Sequence, residues 1–264
     1  MTSAISSSES LRQRLRDREL TFGSWLQLGS PEVAEIMAAE GFHWLVADLE
    51  HGAIDRSTLV QLVRAIEARG LVPLARIMSC DSLQSRQAFD AGCAGVIIPH
   101  VEDPAAYAAF VDKSTWPPRG SRSIGFFRAN DYGLKFDEYS REAQEPILIP
   151  MIESAAGVEN MEAILGAGRA DAVLIGPYDL SASLGAPGDF AAKAFRDAED
   201  HVLRTCQRLG ITAGIHDVQP TSESIAEHVA RGFTFIACGM DTVYLSQAVS
   251  QIADLEEVRR AHRS

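Results

Sequence analysis

The sequence predicts a closed (β/α)8 barrel, on three observations. Short apolar runs alternate with amphipathic helical stretches along the 264 residues. The eight runs are apolar throughout rather than alternating, as expected for parallel strands covered by helices. Ionisable residues gather at the C-terminal ends of these runs, where barrels of this class keep their active sites.

The strands are expected at 22–28 (FGSWLQL), 44–50 (WLVADLE), 72–77 (VPLARI) and 95–101 (GVIIPHV). Four more follow at 147–153 (ILIPMIE), 172–177 (AVLIGP), 212–217 (TAGIHD) and 233–239 (FTFIACG). Helices such as PEVAEIMAAEG, STLVQLVRAIEARG and SESIAEHVARG lie between them and end in Gly, the usual C-terminal stop. A doubly wound open sheet would want a Gly-rich turn after an early strand. The one candidate, GAGRAD at 166–171, follows a helix instead. Residues 1–20 read as a Ser-rich tail running into a charged helix, and 21–264 as a single barrel domain. The interruption at 114–136 has no clear periodicity, and so long a loop in a compact domain is usually functional. The stretch 242–264 reads as a long terminal helix with more apolar surface than an eighth barrel helix needs, which suggests packing on a neighbouring subunit.

A formal net charge of −12 argues against a nucleic-acid groove or an anionic membrane surface. Cys80, Cys93, Cys206 and Cys238 form neither a Cys-x-x-Cys pair nor a zinc spacing, so reduced thiols are expected. The N-terminal stretch lacks the apolar core of a signal peptide, and no apolar run reaches membrane-spanning length. The expectation is a cytoplasmic protein.

Two runs end on acids that an apolar interior cannot leave unpaired: IPMIE at Glu153 and AVLIGPYD at Asp179. Coming from adjacent strands, the two carboxylates would repel unless they shared a proton or a cation, and a hard divalent ion such as Mg²⁺ suits them. The competing reading is that each caps a helix or pairs with an arginine. In ADLEHG, Asp48 lies three residues before His51 and could orient its imidazole as a general base; a His satisfied by a local hydrogen bond is equally open. Arg76 interrupts an apolar run and needs an anion, either a ligand or Asp48 or Glu50. Backbone N–H groups of the turn Gly176, Pro177, Tyr178, Asp179 can bind a carboxylate, or simply start a helix. His100 and His216 stand at the ends of the fourth and seventh strands. The only lysines, Lys113, Lys135 and Lys193, avoid every strand end, which speaks against Schiff-base chemistry.

The segments DLEHG, PLARI, GVIIPHVEDPAAY, WPPRGSRSIG with RANDYG, MIES and GPYDLSASLG resemble the HpcH/HpaI family of metal-dependent (class II) pyruvate aldolases. The likeness runs in order from about residue 20 to 250. It implies a (β/α)8 barrel, usually a hexamer whose dimers exchange a C-terminal helix. It also implies Mg²⁺ or Mn²⁺, sometimes Co²⁺, and reversible cleavage of a 4-hydroxy-2-oxo acid into pyruvate and an aldehyde. Carried over, Glu153 and Asp179 would be the metal ligands, and His51 with Asp48 would move protons. Arg76 would bind the 2-oxo acid and steady the enolate oxygen, and the Gly176 to Asp179 backbone would hold the carboxylate. Two positions depart from the pattern. Met151 stands where a Gln is frequent, and His216 replaces a small apolar residue expected near the pyruvate methyl group. Other uses of the same enolate are oxaloacetate decarboxylation and a citrate-forming condensation; a non-catalytic protein that binds 2-oxo acids is a third reading.

Overall fold

The computed structural model describes residues 4–38, 41–252 and 259–262. Eight parallel strands close a barrel in sequence order: β1 (Thr21–Leu26), β2 (Trp44–Asp48), β3 (Val72–Arg76), β4 (Gly95–Ile98), β5 (Ile147–Ile152), β6 (Ala172–Ile175), β7 (Thr212–Asp217) and β8 (Phe235–Met240). β1 pairs with both β2 and β8, which leaves no sheet edge. All eight runs form strands, most of them shorter than their apolar runs. Glu50, His51, His100, Glu153 and Asp179 therefore lie in the turns or helix starts just past the strand ends, while Asp48, Arg76, His216 and Asp217 are the last strand residues or next to last.

Alternate residues of each strand point to opposite sides, and this divides the apolar residues into two cores. An inner one holds Trp25, Trp44, Val46, Leu74, Ile97, Ile149, Met151, Leu174 and Phe235. An outer one packs the other strand faces, such as Ala47, Ala75, Val96 and Ile215, against helices. Close packing inside depends on Gly23, since a Cβ there would lie 2.1 Å from the Trp44 ring. Trp44 in turn stacks on Phe235 at 4.1 Å between centroids.

The outer helices begin α1 (Ala4–Arg16), α2 (Pro31–Met37), α3 (Arg56–Ala68), α4 (Ser82–Ala91), α5 (Pro104–Ser114) and α6 (Phe136–Glu142). They continue α7 (Ala155–Ala167), α8 (Pro177–Ser183), α9 (Lys193–Leu209), α10 (Ser222–Arg231) and α11 (Asp241–Ser250). Asp55, Asp81, Asp103, Ser154 and Thr221 cap five of them by accepting a first-turn backbone N–H. The expected charged N-terminal helix has a second role. Leu11 and Leu15 are buried in the inner core, and Thr212 of β7 donates to the Leu15 carbonyl at 2.6 Å, so α1 plugs the end of the barrel at which the strands begin.

Two expectations need correction. The stretch 114–136 is ordered rather than a bare loop. It contains a short 3₁₀ segment at Arg128–Gly133 and is pinned by buried Arg122, which donates to the Ser114 carbonyl and to the Tyr139 hydroxyl and lies over Phe89 and Trp116. The helix expected at 242–264 is interrupted: α11 ends at Ser250, residues 251 and 252 form a turn, 259–262 are again helical, and 253–258, 263 and 264 lie outside the described residues. Leu245 and Val249 of α11 are exposed, as the apolar pattern suggested.

Because Leu15 is fully buried in the plug, Leu15→Ala is expected to lower the unfolding free energy by about 2–5 kcal/mol. Urea denaturation followed by circular dichroism measures this. A change below roughly 0.5 kcal/mol, the range of ordinary surface substitutions, would mean that α1 does not hold the barrel closed.

Candidate active site at the barrel mouth

The C-terminal mouth is organised around one ion pair. Arg76, the last residue of β3, donates through Nε and Nη2 to the two oxygens of Asp48, the last residue of β2, at 2.9 and 2.7 Å. Register places the two directly opposite each other, so the pairing follows from strand geometry. Asp48 is fully buried and also accepts from the Gln27 side chain at 3.1 Å and from the backbone N–H groups of Glu50 and His51. Burial pushes the Asp48 carboxyl up, but the Arg76 hydrogen bonds and charge, helped by Gln27 and the His51 N–H, hold it below the usual carboxylate range. Glu50 lies 3.2 Å from Arg76 Nε, and the guanidinium sits 4.5 Å above the Trp25 ring.

This corrects the expected Asp48–imidazole pairing. Asp48 touches His51 only at its backbone N–H. The His51 ring is exposed and has no hydrogen-bond partner among the described residues. Local spacing suggested that partner, but a guanidinium one strand away supplies two charge-assisted bonds and takes the carboxylate instead.

The second half of the mouth is acidic. Glu153 follows β5 and is buried, with Oε1 accepting the His100 backbone N–H at 2.6 Å. His100 Nδ1 lies 3.3 Å from the same oxygen, and Nε2 lies 3.7 Å from Glu50. The His100 backbone has φ +51, a left-handed conformation that costs a non-glycine residue roughly 1–2 kcal/mol and here aims its N–H at Glu153. Burial raises the Glu153 pKa, the His100 contacts oppose this, and the charges of Asp179 and Glu50 raise it further. Asp179 is exposed in the first turn of α8. Gly176 leaves room for Glu153, since a Cβ there would come within 2.6 Å of Glu153 Oε2. Pro177 is buried at the first position of α8, and Tyr178 is exposed with its ring edge-on to Phe190. The helix has no side-chain cap; its first intrahelical bond runs from Leu180 N to the Gly176 carbonyl, so the N–H groups of Tyr178 and Asp179 have no partner among the described residues.

A hard divalent cation fits this donor set: Glu153 is destabilised as an anion by Asp179 and Glu50, and its second oxygen faces the Gly176 turn. Among the described residues, no three or more of His, Cys, Asp and Glu form a fuller cage, so Glu153 and Asp179 would leave several positions for water and substrate.

His216, on β7, faces inward and is buried at the rim of the inner core. Its ring lies 5.1 Å from the Trp25 ring, and Nε2 lies 3.3 Å from the Gly239 carbonyl. Burial, with a smaller push from Arg76, lowers its pKa to about 4. Asp217, next along, is tied to Ser224 and His228 outside the mouth. Sequence reading overlooked Gln27. It stands two residues beyond inward-facing Trp25, so the strand alternation already placed it in the mouth; its amide also accepts from Thr242 at the start of α11.

A closed parallel barrel with a buried arginine–aspartate fork and a neighbouring acid pair at its C-terminal mouth is an enzyme scaffold with a site for a small anionic molecule. The chain belongs to the HpcH/HpaI aldolase/citrate lyase family, which residues 21–248 match. It is 32% identical over 94% of its length to a hydroxypyruvate/pyruvate aldolase of Paraburkholderia phytofirmans, covering 97% of that protein. A 4-hydroxy-2-oxovalerate aldolase of Rhodococcus jostii is 33% identical, with 92% of this chain and 94% of the relative covered. The crystal structure of an HpcH/HpaI aldolase/citrate lyase family protein from Burkholderia cenocepacia superposes with a TM-score of 0.86 at 33% identity, over 95% of this chain and 99% of that one.

His216 stays neutral in the fold down to about pH 4, whereas an unfolded histidine takes up its proton near 6.5. Between these values the unfolded state binds more protons, so stability falls as pH drops and is fully present above 6.5. The difference amounts to about 3 kcal/mol. Urea midpoints from pH 7.5 to 4 should show a shallower decline in His216→Leu than in the native sequence. Parallel declines would mean that His216 is not held neutral. Separately, Asp48→Asn should lower stability by about 3–5 kcal/mol by leaving Arg76 short of a buried counter-charge, and calorimetry would expose a smaller effect.

Proposed function

We propose that the chain is a divalent-metal-dependent aldolase that reversibly cleaves a 4-hydroxy-2-oxo acid to pyruvate, or a close analogue, and an aldehyde. The observation that carries this reading is the buried Glu153 beside Asp179 at the same mouth as the Arg76 fork. The names of the relatives, which are aldolases of 2-oxo acids, support it.

Glu153 and Asp179 would hold Mg²⁺, Mn²⁺ or Co²⁺, and a bound cation supplies Lewis-acid polarisation of the 2-oxo carbonyl. Arg76 is a fixed donor: Asp48 and Glu50 hold its guanidinium against Trp25, aimed at the oxygen on which enolate charge develops. The free N–H groups of Tyr178 and Asp179 in the Gly176–Pro177–Tyr178–Asp179 turn receive the substrate carboxylate. The exposed His51 ring, without a hydrogen-bond partner among the described residues, would take the proton of the 4-hydroxyl, directly or through water. The C3–C4 electron pair then passes into the enolate of the 2-oxo acid, the aldehyde leaves, and C3 is reprotonated. Asp48 acts on this step through Arg76 rather than on the imidazole.

The same reading places the enzyme in the cytoplasm as a homo-oligomer, with a hexamer built through the C-terminal segment as its specific form. Among the described residues no helix is long and apolar enough to cross a membrane. The four cysteines are free, with burial pushing Cys80 up to about 11 and Cys206 and Cys238 to about 12. Exposed Leu245 and Val249 give the terminal helix an apolar stripe for a second copy.

The test is deuterium uptake into the pyruvate methyl group in D₂O, followed by proton NMR with Mg²⁺ or Mn²⁺ and then with EDTA. Uptake abolished by EDTA is expected, with Glu153→Gln and Arg76→Lys each slowing it by about 10²-fold or more. No uptake with metal present would sink the aldolase reading. Turnover of oxaloacetate or a thioester in its place would favour the decarboxylating or condensing use of the site, and binding without exchange would favour a non-catalytic protein.

A further inference from the structure

Gln27 stands one residue past β1, half-buried, and each of its polar atoms has a protein partner. Its backbone N–H donates to both oxygens of the buried Asp241 carboxylate at 3.0 and 3.1 Å, and its carbonyl accepts from the Ala53 N–H at 3.2 Å. In the side chain, Nε2 donates to Asp48 Oδ2 at 3.1 Å and Oε1 accepts from the Thr242 hydroxyl at 2.9 Å. Most side-chain hydrogen bonds go to backbone or water, so an amide that spans two other side chains is a specific arrangement. Both of those anchors outside the fork, Asp241 and Thr242, belong to the first turn of α11. The Asp241 carboxylate also accepts the Leu28 N–H at 2.9 Å and the Thr242 N–H at 2.7 Å, which clamps the start of α11 onto the chain leaving β1.

The two ends of an amide are not equivalent, since the NH₂ group donates and the oxygen accepts. A carboxylate only accepts, so the NH₂ end must face Asp48. The oxygen end then faces Thr242, whose hydroxyl supplies the donor. With that hydroxyl absent, nothing on the α11 side would hold the amide in this direction. Asp48 Oδ1 has the Arg76 Nε and the Glu50 and His51 N–H groups, whereas Oδ2 has, among the described residues, Arg76 Nη2 and Gln27. Removing Gln27 leaves a buried oxygen with one donor, and the carboxylate is then free to turn toward its better-supplied side. The guanidinium bridges both oxygens and turns with it.

We propose that Gln27 and Thr242 are positioning residues for Arg76: the first turn of α11 fixes the Gln27 amide, the amide fixes Asp48, and Asp48 aims the guanidinium at the reacting oxygen. The kinetic consequence rests on the aldolase reading above. Enolate charge develops only on the way to the transition state, so a fork that swings loses kcat before it loses substrate binding.

The experiment has two readouts on the full-length protein. The first is solvent exchange of the Arg76 Nε–H, followed by nitrogen-resolved NMR without added metal and assigned by its absence from Arg76→Lys. Gln27→Leu should speed this exchange by about tenfold, as loss of one hydrogen bond to a charged group would. Thr242→Val should act in the same direction by a smaller factor, and Thr242→Ser, which keeps the hydroxyl, should retain the native rate. The second readout is kcat and KM for deuterium uptake into the pyruvate methyl group with Mg²⁺. Gln27→Leu should lower kcat by about tenfold with KM within about twofold. Thr242→Val added to Gln27→Leu should cost nothing more, because Thr242 acts only through the amide. Gln27→Met replaces the Leu variant if that one does not fold. Against a native enzyme that exchanges pyruvate, either readout unchanged in folded Gln27→Leu would overturn the inference. Losses that multiply in the double variant, or Thr242→Ser no better than Thr242→Val, would overturn it too. Absence of methyl exchange in the native enzyme would remove the aldolase reading alone, and the Nε–H exchange would then decide whether α11 holds Arg76.

Discussion

The mouth of this barrel depends on keeping one guanidinium charged in an interior that disfavours charge. Taking Arg76 and Asp48 out of water costs several kcal/mol per ion, and their attraction offsets that only if the geometry is good and the remaining lone pairs are satisfied. The structure meets both conditions. Opposed register on β2 and β3 aligns the fork, Gln27 from the end of β1 takes one Asp48 oxygen, and the turn after β2 supplies two N–H donors to the other. Three neighbouring strands are needed to hold one arginine still. That explains why this ion pair sits on strand ends rather than in the loops, since rigid elements fix a donor more closely than loops do.

Two sets of carboxylates sit a few strands apart in opposite environments. Asp48 is held low by its fork, whereas Glu153 is pushed up by burial and by like charges. The first is permanently occupied by protein and is structural in character. The second is an anion short of positive charge and has a glycine cleared in front of one oxygen. Divergent environments of this kind assign different roles to chemically similar groups. Here they separate the acid that aims a cation of the protein from the acid suited to holding a cation from solution. Glu50 and His100 link the halves, with Glu50 contacting Arg76 and His100, and His100 contacting Glu153. A change on one side is therefore felt on the other.

The strands were legible because burial on both faces leaves near-continuous apolar runs, and short runs such as AVLI or VPLA recurring between amphipathic helices read as strands of a parallel sheet. Their polar ends were legible for the same reason, since Arg76 and Glu153 interrupt or close such runs. Partners across strands were legible only in part. Arg76 was expected to need an anion, a ligand or Asp48 or Glu50, while local spacing also offered Asp48 to His51, and register with β3 decides between them. The α1 plug was hidden because, among its residues of described burial, the buried face holds just two apolar side chains, Leu11 and Leu15, beside the charged Arg12. The order within 114–136 was hidden because buried Arg122, not a hydrophobic repeat, organises it.

The mouth has a rigid part and an open part. Arg76 and His216 sit on strands, packed against the same Trp25 ring, and have little freedom to adjust. The open side is bounded by turns and by exposed residues such as His51, His100 and Tyr178. Loops tolerate substitution far better than packed strands do. Divergence on this scaffold should thus alter the open side more readily than the rigid one. A polar residue at an inward strand position, where packing alone would favour an apolar one, is a departure within the rigid part, and His216 is such a residue.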